Sequence, residues 1–130
     1  MSTTPGMAEG MLREIARLLD ALARDPGFIE AIDLHSLPVS DADRAWLRQR
    51  LGRGEVEATF NLGGPTRIEE TSYAGVWWIR HADADEHTVL EQIVVARVPA
   101  LLLADTVDVT AAARRLGSEL EGAAAPGEPS

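Results

Sequence analysis

The spacing of apolar residues changes at Gly54, and that change limits what the chain can fold into. Before Gly54 the apolar side chains recur every three or four residues, and after it they alternate with polar ones. A helix repeats every 3.6 residues and a strand every two, so a helical half is expected ahead of a sheet-forming half. Met7, Met11, Leu12, Ile15, Leu18, Leu19 and Leu22 share one face of a helix over 7–24, which Asp25-Pro26-Gly27 ends. The two methionines read as gap-filling side chains rather than a ligand pair. Residues 28–39 read as a connection. Ser40 followed by Asp43 has the form of a capping box and opens a second helix to about Leu51. Trp46 and Leu47 are expected to face inward and Arg44, Arg48 and Arg50 outward, with Gly52 past the helix end.

Beyond Gly54 the segment 55–62 alternates as a half-buried strand should. Further strands are expected over 66–73, 75–82 and 88–98, with a turn at Gly63-Gly64-Pro65. Such short links favour an antiparallel meander. Pro99 suits the first turn of a short helix to about Ala104, and 109–121 reads as a last helix of weaker pattern. The expected fold class is α+β: a four-stranded antiparallel meander sheet with the N-terminal helices and a C-terminal helix packed mainly on one face. A single domain is expected over 1–121, with a flexible tail over 122–130.

Composition narrows the partners. The chain has 130 residues and no cysteine, so disulfides, a thiol nucleophile and thiolate ligation by this chain are excluded. The formal charge is −9. Residues 1–53 carry eight acids against seven arginines, and residues 54–130 carry thirteen against five. That balance disfavours nucleic acid and anionic membranes and would attract a basic partner. Residues 1–11 lack a basic segment ahead of an apolar core, so no signal peptide is expected, and the longest apolar run, 98–104, is too short to span a bilayer.

Two stretches could carry chemistry or binding. His81, Asp83, Asp85 and His87 lie at alternate positions, so in an extended strand they would face one way and could suit Zn²⁺ or Ni²⁺. The chain must reverse at Asp83–Glu86, however, and a reversal breaks the alternation, so a solvated hairpin tip is the favoured reading and no metal is expected. In Val76-Trp77-Trp78-Ile79 the neighbouring indoles point to opposite faces of a sheet. With helices on one face, one ring is exposed and suited to docking a partner; with both faces covered, neither is. The glutamates at 55, 57, 69, 70 and 91 fall on expected strands, where a polar face is the ordinary role and acid–base catalysis is not expected. Gly63-Gly64-Pro65-Thr66 lacks the lysine and helix of a phosphate loop. Ser36, Ser40, Ser72 and His35 stand in no nucleophile context.

Three segments together resemble a family. They are Leu51-Gly52-Arg53-Gly54-Glu55-Val56, then Arg67-Ile68-Glu69-Glu70-Thr71 with Gly75-Val76-Trp77, then Ile93 to Pro99 running into an apolar helix. In this order they are similar to hydrogenase expression/formation proteins of the HupH/HyaF type, in particular their C-terminal-type domain, over about residues 28–115. The resemblance implies a cytoplasmic, non-enzymatic accessory factor for [NiFe] hydrogenase, acting on the iron–sulfur small subunit. It offers no catalytic residue, and it implies relatives of about twice this length. The leading expectation is therefore an assembly factor or chaperone without a cofactor. It would bind the small subunit or its precursor signal segment, or other maturation factors, through Trp77, Trp78, Glu69, Glu70, Tyr73, Glu55 and Glu57. The alternatives are a metal-handling or hydrolytic protein centred on His81, Asp83, Asp85 and His87, and a homodimerisation module.

Overall fold

The computed structural model describes residues 6–61 and 63–123. It divides into a first compact unit that runs to Pro99 and a second that begins at Ala100, where one domain over 1–121 was expected. The first unit holds helix α1 (Ala8–Arg24), strand β1 (Glu30–Asp33), helix α2 (Asp41–Leu51) and strands β2 (Glu57–Asn61), β3 (Pro65–Glu70), β4 (Val76–Ala82) and β5 (Thr88–Val95).

The strands form one antiparallel sheet in the order β1-β5-β4-β3-β2. Strands β2 to β5 are the expected meander. The fifth strand, β1, corrects the reading of 28–39 as a connection. It pairs Glu30 with Val95 and Asp33 with Gln92 along the edge of β5. Four residues with only Ile32 partly buried leave too little alternation to mark a strand in sequence.

Helix α1 buries Ala8, Met11, Ile15, Leu18 and Leu22, a stripe at three-and-four spacing. Each large side chain among them contributes about 1.5–3 kcal/mol when fully buried. They join Leu34, Leu47 and Leu51 and the sheet residues Val76, Trp78, Ile93 and Val95 in one core. Ser40 accepts the backbone N–H of Asp43 at 3.0 Å while Asp43 accepts that of Ser40 at 3.0 Å, so the expected capping box opens α2. The opposite face of the sheet centre carries a second buried set, Ile68, Trp77, Ile79 and Val94. Buried side chains thus occupy both faces, which decides the question of the two indoles.

The second unit contains a 3-10 turn, Ala100–Leu102, and helix α3 (Thr106–Ala123). Helix α3 has no buried side chain among those described. The tail expected over 122–130 begins inside this helix, since Gly122 and Ala123 are helical, and 124–130 lie outside the described residues. Among the described residues no helix is long and apolar enough to cross a membrane.

Candidate functional site

The strand register lays polar groups in two adjacent rows on the helix-bearing face of the sheet. One row runs Glu57, Glu69, Trp78, Ile93, and the next runs Thr59, Arg67, Arg80, Glu91. Helix α2 reaches both rows with Arg44 and Arg48, which lie one turn apart. Between them is a groove of about 300 Å³ lined by Arg44, Arg48, Arg53, Arg67, Arg80, Glu69, Glu91 and Trp78.

Its charges are held in fixed pairs. Arg44 donates from Nε to Glu91 Oε1 at 2.6 Å and from its two Nη groups to the carbonyls of Val39 at 2.9 Å and Leu34 at 3.2 Å. Glu91 Oε2 accepts the indole N–H of Trp78 at 3.0 Å. Glu69 accepts from Arg48 and, at 2.5 Å, from Arg53. The Arg48 guanidinium also stacks over the Trp78 ring, 4.9 Å from its centroid. Arg67 donates twice to Glu57, at 2.7 and 3.1 Å, and lies 3.5 Å from Glu69. Hydrogen bonding to Glu57 and its charge, then the charge of Glu69, raise the Arg67 pKa above its ordinary value. Arg80 donates to Thr88 Oγ1 at 2.8 Å and, among the described residues, meets no carboxylate. Both groove carboxylates are already hydrogen-bonded, and guanidinium groups do not give up protons at working pH. The arrangement is therefore suited to binding rather than to proton transfer.

This geometry corrects several expectations. Neither indole is exposed: Trp77 and Trp78 retain 5% and 6% of their accessible surface. Trp77 donates its N–H to the Ala96 carbonyl at 3.0 Å, so burial leaves neither indole N–H unpaired. The groove beside Trp78 holds five arginines together with Glu69 and Glu91, so cations outnumber anions there. Arg44 and Arg48 turn toward the sheet, not outward, because Glu69 and Glu91 are buried beneath them and a buried carboxylate requires a compensating partner. Glu69 faces the helices, whereas Glu70 pairs with Trp77 on the other face, so the expected set does not form one surface. Glu55 precedes β2 and is exposed, as are Glu57 and Tyr73. The arginines of the groove were missed by sequence reasoning. The signal available was the four-residue spacing of Arg44 and Arg48 together with strand glutamates that required partners.

The turn at Asp83–His87 behaves as a hairpin tip. Asp83 Oδ1 accepts the backbone N–H groups of Asp85 and His87, both at 2.9 Å, and Glu86 takes a φ of 64°. This winding brings side-chain ligand atoms of Asp83, Asp85 and His87 within 4.8 Å of one another. His81 is not among them: its Nδ1 shares a hydrogen bond with Thr66 Oγ1 at 2.5 Å across the β3–β4 pair. The four-residue ligand set is thus reduced to three groups of a solvated turn, brought together by that turn's own hydrogen bonds.

The segments that carry the family resemblance interlock. Gly54 donates its N–H to the Glu70 carbonyl at 2.7 Å, and a Cβ there would lie 2.5 Å from the Thr71 carbonyl oxygen, so only glycine fits. Ser72 donates both its N–H, at 2.9 Å, and its hydroxyl, at 2.5 Å, to the Leu51 carbonyl at the end of α2. Gly75 turns the chain into β4 with a φ of 88°. These residues hold the β3–β4 loop against the α2 terminus, next to the Arg53–Glu69 side of the groove.

The family model of the HupH hydrogenase expression protein, C-terminal conserved region, matches residues 7–122. The chain belongs to the HupH family. The match is wider than the 28–115 expected, since it takes in α1. A HupH protein from Rhizobium leguminosarum bv. viciae is 37% identical over 106 residues, covering 72% of this chain and 36% of the relative. The Hydrogenase-1 operon protein HyaF of Escherichia coli is 30% identical over 118 residues, covering 88% of this chain and 41% of the relative. The solved structure of hydrogenase expression protein HupH from Thiobacillus denitrificans superposes with a TM-score of 0.84 at 38% identity, covering 92% of this chain and 99% of that one. The chain thus spans about two-fifths of the length of the curated HupH-type relatives and nearly all of the solved HupH chain.

Proposed function

We propose that this chain is a binding module in the maturation of [NiFe] hydrogenase. It holds a segment of the iron–sulfur small subunit or of its precursor, in the cytoplasm, and is not an enzyme. The observation that carries this reading is the family match over 7–122, together with relatives named for hydrogenase expression and formation. The groove supports it, because its carboxylates are already held by arginines and an indole and so serve as structure and recognition. The chain has no cysteine, so an iron–sulfur cluster would stay with the client. The exposed Tyr73, Glu55 and Glu57 remain candidates for a contact surface, while Trp77 acts from within the fold.

Affinity capture with the precursor small subunit, with and without its signal segment, tests the proposal. Enrichment of either form is expected, and the difference between them reports whether the signal is the part held. Failure to enrich both forms overturns it.

A further inference from the structure

We infer that the arginine groove is a receptor for an acidic peptide segment of a partner protein, with a partner carboxylate seated between Arg53, Arg67 and Arg80 beside the Trp78 edge. The inference deepens the proposed binding role and rests on it for the identity of the partner, though not for the chemistry of the site.

The charge distribution is the first reason. The chain carries −9 overall, yet five of its twelve arginines converge on one groove, against Glu69 and Glu91 within it and Glu57 and Asp41, which pair with Arg67 and Arg44, at its margin. Fixing cations together against their mutual repulsion, in a chain with an excess of acids to disperse them, leaves a local surplus of positive charge. A carboxylate from outside would neutralise part of it. Donor geometry is the second reason. Arg80 uses only Nε, toward Thr88, and Arg53 uses only Nη1, toward Glu69, among the described hydrogen bonds. Each retains the rest of a planar fork of the kind that matches a carboxylate. The third reason is the choice of partner already visible inside the groove. Arg44, Arg48, Arg53 and Arg67 each hold a glutamate, so the site is built for carboxylate oxygens. Its walls are fixed by β-sheet register on one side and by the two buried pairs on the other. The receptor is therefore largely formed before anything binds.

The probe is a fluorescein-labelled hexaglutamate peptide, titrated with the full chain and read by anisotropy. Hexa-arginine and inorganic phosphate serve as competing arms. Hexaglutamate is expected to bind despite the chain's overall negative charge. The Arg53→Gln/Arg80→Gln double variant is expected to bind at least tenfold more weakly with an unchanged thermal melt. If the double variant does not fold, Arg80→Gln alone, which gives up one bond to Thr88, is expected to weaken binding severalfold. Absence of hexaglutamate binding, equal binding by the folded variants, preference for hexa-arginine, or displacement by phosphate at equimolar concentration overturns the inference. Hexaglutamate binding without capture of the small subunit would leave the groove standing and remove the hydrogenase client. Capture without hexaglutamate binding would do the reverse.

Discussion

The carboxylate of Asp43 accepts the backbone N–H of Ala8 at 3.1 Å, across 35 positions of sequence. The same oxygen takes the N–H of Met7 at 3.2 Å, while the other oxygen closes the capping box with Ser40. One side chain therefore serves the first turns of two helices. Helix α1, whose own N-cap residue supplies no side-chain acceptor, borrows one from α2.

Acid should expose this dependence. The backbone N–H of Ser40, then its hydroxyl and the N–H groups of Met7 and Ala8, hold the Asp43 carboxyl below its ordinary range. A carboxyl with a lowered folded pKa contributes stability that is complete above the unfolded value, about 4, and disappears as pH falls through the folded value. Asp43→Asn is therefore expected to be less stable than the parent at pH 7 and to lose less on acidification. Urea midpoints between pH 7 and pH 2.5 measure both differences. Ser40→Ala is expected to cost about 1 kcal/mol in the same assay.

Gly75 is expected to resist substitution. A side chain at φ 88° is strained, and its Cβ would lie 2.8 Å from Leu22 Cδ2. Gly75→Ala should destabilise the chain by about 1–2 kcal/mol, read by chemical denaturation. If the parent stability is retained, the β3–β4 loop is not locked in the way described.

Glu69 neutralises Arg48 and Arg53, and its side chain is only 10% exposed. Glu69→Ala would leave Arg48 facing the sheet without its carboxylate. A loss of about 1–3 kcal/mol is expected. Arg53→Ala should cost little by comparison, because Arg53 is largely solvated.

Of the three tryptophans, Trp46 is the partly exposed one. Iodide quenching of the native chain should therefore fall sharply in Trp46→Phe, while Trp77→Phe should leave the quenchable fraction unchanged. Quenching that survives Trp46→Phe would contradict the burial of the indole pair.

Helix α1 and strand β2 were legible because their burial is one-sided, and one-sided burial writes a period into the sequence. Helix α1 shows this most clearly. Strand β1 was not legible, since an edge strand of four residues needs only β5 to exist and little apolar alternation of its own. The indole pair could be narrowed to two outcomes but not decided, because the choice depends on whether the far sheet face is buried, which no local pattern records. The groove was hidden for a similar reason. Arg44 and Arg48 look like the solvent side of a helix until β-sheet register places Glu69 and Glu91 beneath them. The family motifs were legible as a succession of residues, and the structure supplies their reason: Gly54, Ser72 and Gly75 fit one loop against one helix end.

The choice of arginine throughout the groove has a consequence for control. Among the described residues its cations are all arginines, with no lysine or histidine. A guanidinium is an always-charged group, so the cations of such a receptor supply no proton switch near neutrality. Its occupancy is set by ionic strength and by competing anions, and a change in cellular salt would release a bound partner where a change in acidity near neutrality would not.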